Sequence, residues 1–246
     1  MSIESQHDLD GLKAIGAIVA EVLAALPAAV RPGISTGELD ALAGHEFDRL
    51  GAQSSPRTVY GFPGEVCISV NDEVVHGVPG QRRLDEGDLV KLDVTAQKNG
   101  YVADAAITVA VGDASARSRA LAACAERAFR KGMEAARVGK RVCDIGAAVE
   151  EEVNRSGFTV LRELTGHGVG RTIHEPPSGP NYFDPNARQP LTEGLVITVE
   201  PIIRWGRNTI QTGSDGWTVR TVDGARAAHY EHTLVITKSE PILLTA

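Results

Sequence analysis

The sequence carries only three cysteines, Cys67, Cys124 and Cys143, an odd number at wide spacing, which excludes a disulfide framework and a CxxC zinc site. It has no basic block. The formal net charge is −7 and Arg82-Arg83 stands alone as a solvated turn, so nucleic acid is not an expected partner. No apolar run approaches the roughly 20 residues of a membrane span. The polar, acidic stretch from Met1 to Asp10 is unlike a signal or transit peptide, so the expected location is the cytoplasm, away from any membrane. No Ser/Gly/Pro-rich linker divides the chain. What is there, 42% hydrophobic and 23% charged residues over 246 positions, suffices for a sizeable core in one large domain or two small ones.

Leu9, Leu12, Ile15, Val19, Val22, Leu23 and Leu26 fall at the spacing of a helix that Pro27 should end. Ser35-Thr36-Gly37-Glu38 fits a capping box and opens a second helix with a stop at Gly51. Residues 66–70 and 89–95 are β-branched runs, and Gln97-Lys98-Asn99-Gly100 turns the chain into 101–111, which predicts a hairpin. Helical stretches follow over 115–137 and 142–156. The chain then repeats itself. Arg31-x-Gly33 with Leu39, Ala41, Arg49 and Gly51 recurs 106 residues later as Arg137-x-Gly139 with Ile145, Ala147, Arg155 and Gly157. The run from Leu84 to Asp93 recurs 107 residues later as Leu191 to Glu200. An array would need a period of roughly 20–50 residues, so this is a duplicated half-domain. We expect one α+β domain over 1–246, with halves at about 9–112 and 115–240 related by a pseudo-two-fold axis and helices covering one face of an antiparallel sheet.

The repeat puts acidic side chains at equivalent positions. Asp93 matches Glu200, each expected at the end of an apolar strand. Asp104 lies on the return strand of the first hairpin, and Glu231 takes its place in the second, where about 20 extra residues, 205–223, form a loop insert. Any one of these acids could equally be an exposed strand-end residue. Their symmetric recurrence inside β-branched runs argues for burial, and four buried carboxylates need cations to neutralise them. Four carboxylates plus an imidazole suit two divalent ions about 3.5–4 Å apart. The imidazole comes from Gly166-His167-Gly168, where glycines let the backbone pass close to a neighbour and aim the ring. His76 and His174 follow strand-like segments. His7, His45, His229 and His232 have no comparable setting and read as helix, tail or supporting residues.

Gly61-Phe62-Pro63, Val66-Cys67-Ile68-Ser69-Val70-Asn71, Val75-His76-Gly77, Leu92-Asp93-Val94-Thr95, Gly166-His167-Gly168-Val169-Gly170, Val199-Glu200-Pro201, Asp215-Gly216-Trp217-Thr218 and Tyr230-Glu231-His232-Thr233 follow one another in that order. As a set, from about Leu9 onward, they resemble the type I methionine aminopeptidases, the smallest members of the pita-bread fold family (peptidase family M24A). The resemblance implies a dinuclear metal-dependent aminopeptidase that removes N-terminal methionine from nascent polypeptides when the second residue is small. It implies Asp93, Asp104, His167, Glu200 and Glu231 as ligands of two divalent ions, Co, Mn, Fe or Zn. Asp104 and Glu231 would bridge both ions, Asp93 would sit on one, and His167 with Glu200 on the other. A bridging water would be the nucleophile, Glu200 its proton shuttle, His174 a donor to the carbonyl oxygen and His76 a contact to the scissile amide or leaving residue. Val59, Phe62, Cys67 and Trp217 would line an apolar methionine pocket.

The expected partners are peptide N-termini, with transient ribosome contact that does not use an N-terminal Cys/His zinc module or basic extension. The expected state is a monomer. Three departures from the family pattern stand out. Ala103-Asp104-Ala105-Ala106 replaces Gly-Asp-Thr/Ser, Val59-Tyr60-Gly61 replaces Tyr-His-Gly, and Ile173 takes a position that is often aromatic. The first bears on metal affinity through a lost hydroxyl, the second on the pocket wall. Two other readings stay open. One is an X-prolyl aminopeptidase or dipeptidase, or a creatinase-like enzyme, of the same fold. The other is a non-catalytic pita-bread module that binds protein or RNA.

Overall fold

Side-chain alternation along two long strands decides how this chain layers. A computed structural model describes residues 1–206 and 209–246. The first half runs α1 (Gln6–Ala29), α2 (Thr36–Leu50), β1 (Gln53–Ser54), α3 (Ser55–Tyr60), β2 (Cys67–Val70), β3 (Glu73–Val75), β4 (Leu89–Lys98) and β5 (Tyr101–Ala110). The second runs α4 (Ala116–Ala135), α5 (Val142–Arg155), β6 (Thr159–Val160), β7 (Thr165–Gly168), β8 (Glu175–Pro180), β9 (Val196–Val199), β10 (Ile202–Arg204), β11 (Ile210–Thr212), β12 (Val219–Thr221), β13 (Ala227–His229), β14 (Glu231–Val235) and β15 (Ile242–Leu243).

The local signals act where the chemistry puts them. Ser35 accepts from the Glu38 amide while Glu38 accepts from the Ser35 amide at 2.8 Å, and Gly51 closes α2 at φ 63°. Asn99 and Gly100, at φ 53° and 79°, make the left-handed turn between β4 and β5. Pro27 departs from expectation, because α1 continues through it to Ala29. Pro27 forfeits the bond its amide would give the Leu23 carbonyl, but the helix ends two residues later and the Val30 amide closes it on the Pro27 carbonyl at 3.1 Å.

In β4, Leu92, Val94 and Ala96 turn toward Leu12, Ile15, Val19 and Val22 of α1 in one buried cluster, while Lys91, Asp93 and Thr95 take the opposite face. Ala103 and Ala105 of β5 join the same cluster. A second cluster joins α4 and α5 (Leu121, Phe129, Ile145, Val149) to Ile197, Val199 and Leu234. By length and composition α1 is apolar enough to cross a membrane, which corrects the expectation that no segment approaches a span. Lys13 and Glu21 interrupt the run, and the apolar side of the helix packs on β4 and β5.

The nine-stranded sheet runs β1-β4-β5-β14-β9-β7-β8, with β2 on β4 and β15 on β14. Its pairings are antiparallel. The two hairpins meet along β5 and β14, with Glu231 opposite Ala106 and His232 opposite Ala105. Hydrogen bonding is therefore continuous across the pseudo-two-fold seam. The second hairpin is broken where the first is straight. Pro201, lacking an amide, separates β9 from β10, so Glu200 follows a strand end, whereas Asp93 sits inside β4 and not at its end. The expected insert over 205–223 is not simply a loop. Residues 207–208 lie outside the described residues, but β11 and β12 form a hairpin that docks on β3, with Val219 opposite Val75.

Candidate active site

Asp93, Asp104, Glu200 and Glu231 meet on the sheet face away from the helices. Thr95 opposes Asp104 on the adjacent strand, and Ala106 opposes Asp93 on one side and Glu231 on the other, which draws the acids of both halves to the seam. Asp104 is 5% exposed, Glu200 7% and Glu231 2%. Buried so close together, they resist ionisation. Burial first, and then the neighbouring Asp104 carboxylate, push Asp93 up to about 7. Asp104, Glu200 and Glu231 are pushed well above the carboxylate range by burial first, and then by the charge of Glu231 on Asp104 and Glu200 and of Asp93 on Glu231. Asp93 and Asp104 share a hydrogen bond, which two ionised carboxylates cannot form.

The sequence places rigid donors around these acids. The Thr95 hydroxyl donates to Asp104 Oδ1 at 2.8 Å, and the Thr198 hydroxyl to Glu200 Oε1 at 2.9 Å. Thr233 clamps the Asp104 backbone from β14 on both its amide (3.0 Å) and its carbonyl (2.8 Å). The hydroxyl lost at Ala105 and Ala106 thus leaves Asp104 with a partner, since Ala105 faces the helix layer and Thr95 supplies the bond.

His167 is held by β7, where a Cβ on Gly168 would lie 2.2 Å from the Pro176 carbonyl oxygen, so only glycine admits β8 this close. The ring's Nδ1 donates to the Gly168 carbonyl at 2.9 Å, which leaves the lone pair on Nε2. Nε2 lies 3.5 Å from Glu200 Oε1 and 4.0 Å from Asp104 Oδ2. Burial pushes His167 down to about 4, so it is neutral at physiological pH.

A cavity of about 320 Å³ opens over this cluster, and its walls include His76, His174, Phe62, Cys67, Ile173 and Trp217. His76 sits at φ 55°, unusual for a bulky residue and a mark of a backbone held for the ring's sake. His174 stacks obliquely on His167 at 4.3 Å between centroids, and its Nδ1 lies 2.7 Å from the Tyr60 hydroxyl. Phe62 meets Trp217 edge to face at 5.4 Å. Trp217 is set by Asp215, which accepts from the Trp217 and Thr218 amides at 2.9 Å. Cys67 opposes Asp93 in the β2–β4 register; burial and the nearby carboxylates hold its thiol protonated.

The structure thus brings together every expected site residue but one. Val59 is 52% exposed and is not among the cavity-lining residues, because the short helix α3 turns it outward. Its neighbour Tyr60 lines the cavity instead. Tyr60 and His229 are the site residues that sequence reasoning missed. His229 lies at the end of β13, 2% exposed, with Nε2 3.1 Å from Glu231 Oε2 and 3.8 Å from Glu200 Oε2. A usable signal was its spacing, two residues before Glu231, which on an extended chain shares a face.

The residues present fit a divalent metal. Asp104, His167 and Glu231, and separately Glu200, His229 and Glu231, each offer ligand atoms within 4.8 Å of one another. Among the described residues, Glu231 Oε1 and both His229 ring nitrogens are buried without a hydrogen-bond partner. A cation takes up the lone pairs of a buried carboxylate oxygen and of one imidazole nitrogen at once.

Comparison with known proteins agrees with this chemistry. The model of metallopeptidase family M24 matches residues 10–238. Methionine aminopeptidase 2 of Bacillus subtilis is 44% identical over 247 residues, covering 100% of this chain and 99% of that protein. A methionine aminopeptidase of Clostridium perfringens is 40% identical, covering 99% and 98%. The crystal structure of methionine aminopeptidase from Thermotoga maritima superimposes with a TM-score of 0.96 at 34% identity, covering 100% of this chain and 99% of that one. Prolidase from Pyrococcus furiosus shares the fold at TM-score 0.80 and 23% identity, but this chain covers only 65% of its length.

Proposed function

The chain belongs to metallopeptidase family M24, and from that premise we propose its reaction: it is a metal-dependent methionine aminopeptidase, hydrolysing the first peptide bond of substrates that begin with methionine and a small second residue. The observation that carries the reading is the convergence of four carboxylates and the His167 lone pair beneath a cavity walled by Phe62 and Trp217. Methionine aminopeptidases that match this chain end to end support it over the prolidases, which share the fold over part of their length.

We propose Asp93, Asp104, His167, Glu200 and Glu231 as ligands of two divalent ions drawn from Co, Mn, Fe or Zn, with Asp104 and Glu231 shared between them. When bound, the ions would neutralise the carboxylates, acidify a shared water and polarise the scissile carbonyl. The chain's own residues do the rest. Glu200, held by Thr198, takes the proton of the attacking water and passes it to the leaving amine. With the Tyr60 hydroxyl donating to Nδ1, His174 carries its proton on Nε2 and donates to the carbonyl oxygen as charge builds there. His76, also on the cavity wall, contacts the scissile amide. The methionine side chain fills the space beside Phe62, Cys67 and Trp217, where sulfur meets ring edges.

We propose further that residues 1–246 form one catalytic domain, supported by the continuous β5–β14 ladder, acting as a cytoplasmic monomer in transient contact with the ribosome. The deciding experiment compares turnover of Met-Ala-Ser with that of Gly-Pro and Arg-Pro-Pro after dialysis and metal titration. Met-Ala-Ser should be preferred. A preference for either proline substrate would replace this reading with the prolidase one. Hydrolysis of no substrate under any divalent ion would favour the binding module.

A further inference from the structure

We propose that His229 is a sixth protein ligand of the metal centre, coordinating through Nε2 an ion held between Glu200 and Glu231. The inference rests on the metallopeptidase reading above and extends it to a residue that reading leaves unused.

Three observations on the geometry point the same way. First, the ring is aimed at the cluster by backbone that cannot easily move. His229 opposes Ile202 in the β10–β13 pairing, and Thr108 on β5 clamps it, accepting from its amide at 2.9 Å and donating to its carbonyl at 2.8 Å. Second, the ring is 2% exposed, yet neither nitrogen has a hydrogen-bond partner among the described residues. Buried imidazole nitrogens rarely go unsatisfied, because an orphaned polar atom in a dry interior forfeits its hydration for nothing. Third, Nε2 faces oxygen. It lies 3.1 Å from Glu231 Oε2, an approach not aligned for a hydrogen bond, and 3.8 Å from Glu200 Oε2, while Glu231 Oε1 is itself unpartnered. The ligand atoms of Glu200, His229 and Glu231 all fall within 4.8 Å of one another.

Alternatives that need no ion fit less well. A supporting hydrogen bond to Glu231 would need the alignment that the 3.1 Å approach lacks. A space-filling role would put an aromatic edge against two carboxylates where an aliphatic side chain would pack without unsatisfied nitrogens. Coordination satisfies His229 Nε2 and the Glu231 carboxylate together. It also has a chemical consequence: a centre with two imidazoles flanking four carboxylates favours nitrogen-seeking ions such as Zn, Co and Fe over Mn more than one with a single imidazole.

The test uses the full chain labelled with 15N-histidine and loaded with 113Cd alone. Two imidazole nitrogens should show one-bond splitting by cadmium, from His167 and His229. His229→Gln should abolish one splitting and weaken the last-bound cadmium at least about 10-fold, an effect of the size usual for altering a metal's immediate surroundings. His174→Gln should keep both, and this holds the assignment if His229→Gln does not fold. A single split resonance in the wild type, or two that survive His229→Gln, would overturn the proposal while leaving the metallopeptidase reading intact. Absence of cadmium binding in the wild type would instead overturn that reading, and this proposal with it.

Discussion

Stripping the metal should give this protein an inverted response to alkali. Below about pH 6.5 two sets of groups oppose each other. His76, His167, His229 and His232 are pushed down to about 4 by burial, so the folded chain lacks protons that the unfolded chain would hold, and stability rises with pH until the unfolded histidines titrate near 6.5. The carboxylates act the other way. Asp93 at about 7, and Asp104, Glu200 and Glu231 raised further, keep protons in the folded state that the unfolded chain releases near pH 4. Above pH 6.5 the histidines no longer differ between the two states; Lys91, pushed down to about 7 by burial, adds a rising contribution that is the same with or without metal, and the carboxylates add a falling one that only the stripped protein has. A single retained proton makes stability fall by about 1.4 kcal/mol per pH unit, so from pH 6.5 to 8 the stripped protein should lose about 2 kcal/mol relative to the metal-loaded one. For a chain of this length that lowers Tm by about 4–8 °C. With metal bound the carboxylates are already ionised and the slope should flatten. Scanning calorimetry at pH 6.5, 7.2 and 8.0, with chelator and with added Mn or Co, measures it. A chelated protein whose Tm follows pH just as the loaded protein's does would show that the four acids do not crowd one another in the interior.

Other outcomes follow from single side chains. His174→Ala should lower kcat by about 100-fold or more with little change in Tm, because the ring is exposed to the cavity and holds no core together; near-normal turnover would remove it from the reaction. Tyr60→Phe should cost less, about 10-fold in kcat, since one hydrogen bond orienting His174 is lost while the ring stays; an unchanged kcat would mean that the 2.7 Å contact does not set the tautomer. Glu200→Gln should fail both in metal loading, read by atomic absorption, and in turnover. Trp217→Ala should raise KM for Met-Ala-Ser by about 10-fold with a smaller change in kcat, and equal losses in both would place Trp217 outside the methionine pocket.

What could be read in advance depended on whether a residue's role was set locally. The capping box at Ser35, the stop at Gly51 and the Asn99-Gly100 turn are determined by neighbours within a few positions, and each acts as its chemistry requires. The carboxylates could be found because duplication wrote them twice, at an offset that survives in the sheet as strands meeting across the β5–β14 seam. Pro27 misled because a proline costs a helix one bond without forbidding the residues that follow: α1 gives up the bond to the Leu23 carbonyl and still runs to Ala29, with Leu26 in the core and Ala29 packed against it. The insert misled because its partner, β3, lies some 140 residues earlier, and no local pattern announces a pairing at that distance. Val59 and Tyr60 are adjacent, and choosing between them required the roll of a six-residue helix. His229 lacked flanking glycines, and its neighbours Ala227, Ala228 and Tyr230 are unremarkable. Its place two residues before Glu231 was the one signal the sequence held.

A two-fold frame explains why the cations have a place, but it cannot by itself explain a reaction with a direction. A peptide has an amine end and a carbonyl end, and a symmetric cluster of carboxylates would treat them alike. The polarity comes from what the duplication does not repeat. Both imidazoles beside the acids, His167 and His229, belong to the second half, so the nitrogen donors sit on one side of the seam. The break at Pro201 bends the second hairpin away from the path of the first, and the chain gained there returns as β11 and β12 to brace β3 and to aim Trp217 at Phe62. His174, on the connection between β7 and β8, stands over the cluster with Tyr60 behind it. Apart from His167, on β7 of the sheet itself, these asymmetric pieces lie on short strands, on α3 and on a connection outside the regular central ladder. The fold thus divides its labour physically: repeated strands supply the charge that must be neutralised, and unrepeated segments decide which end of a substrate may approach it.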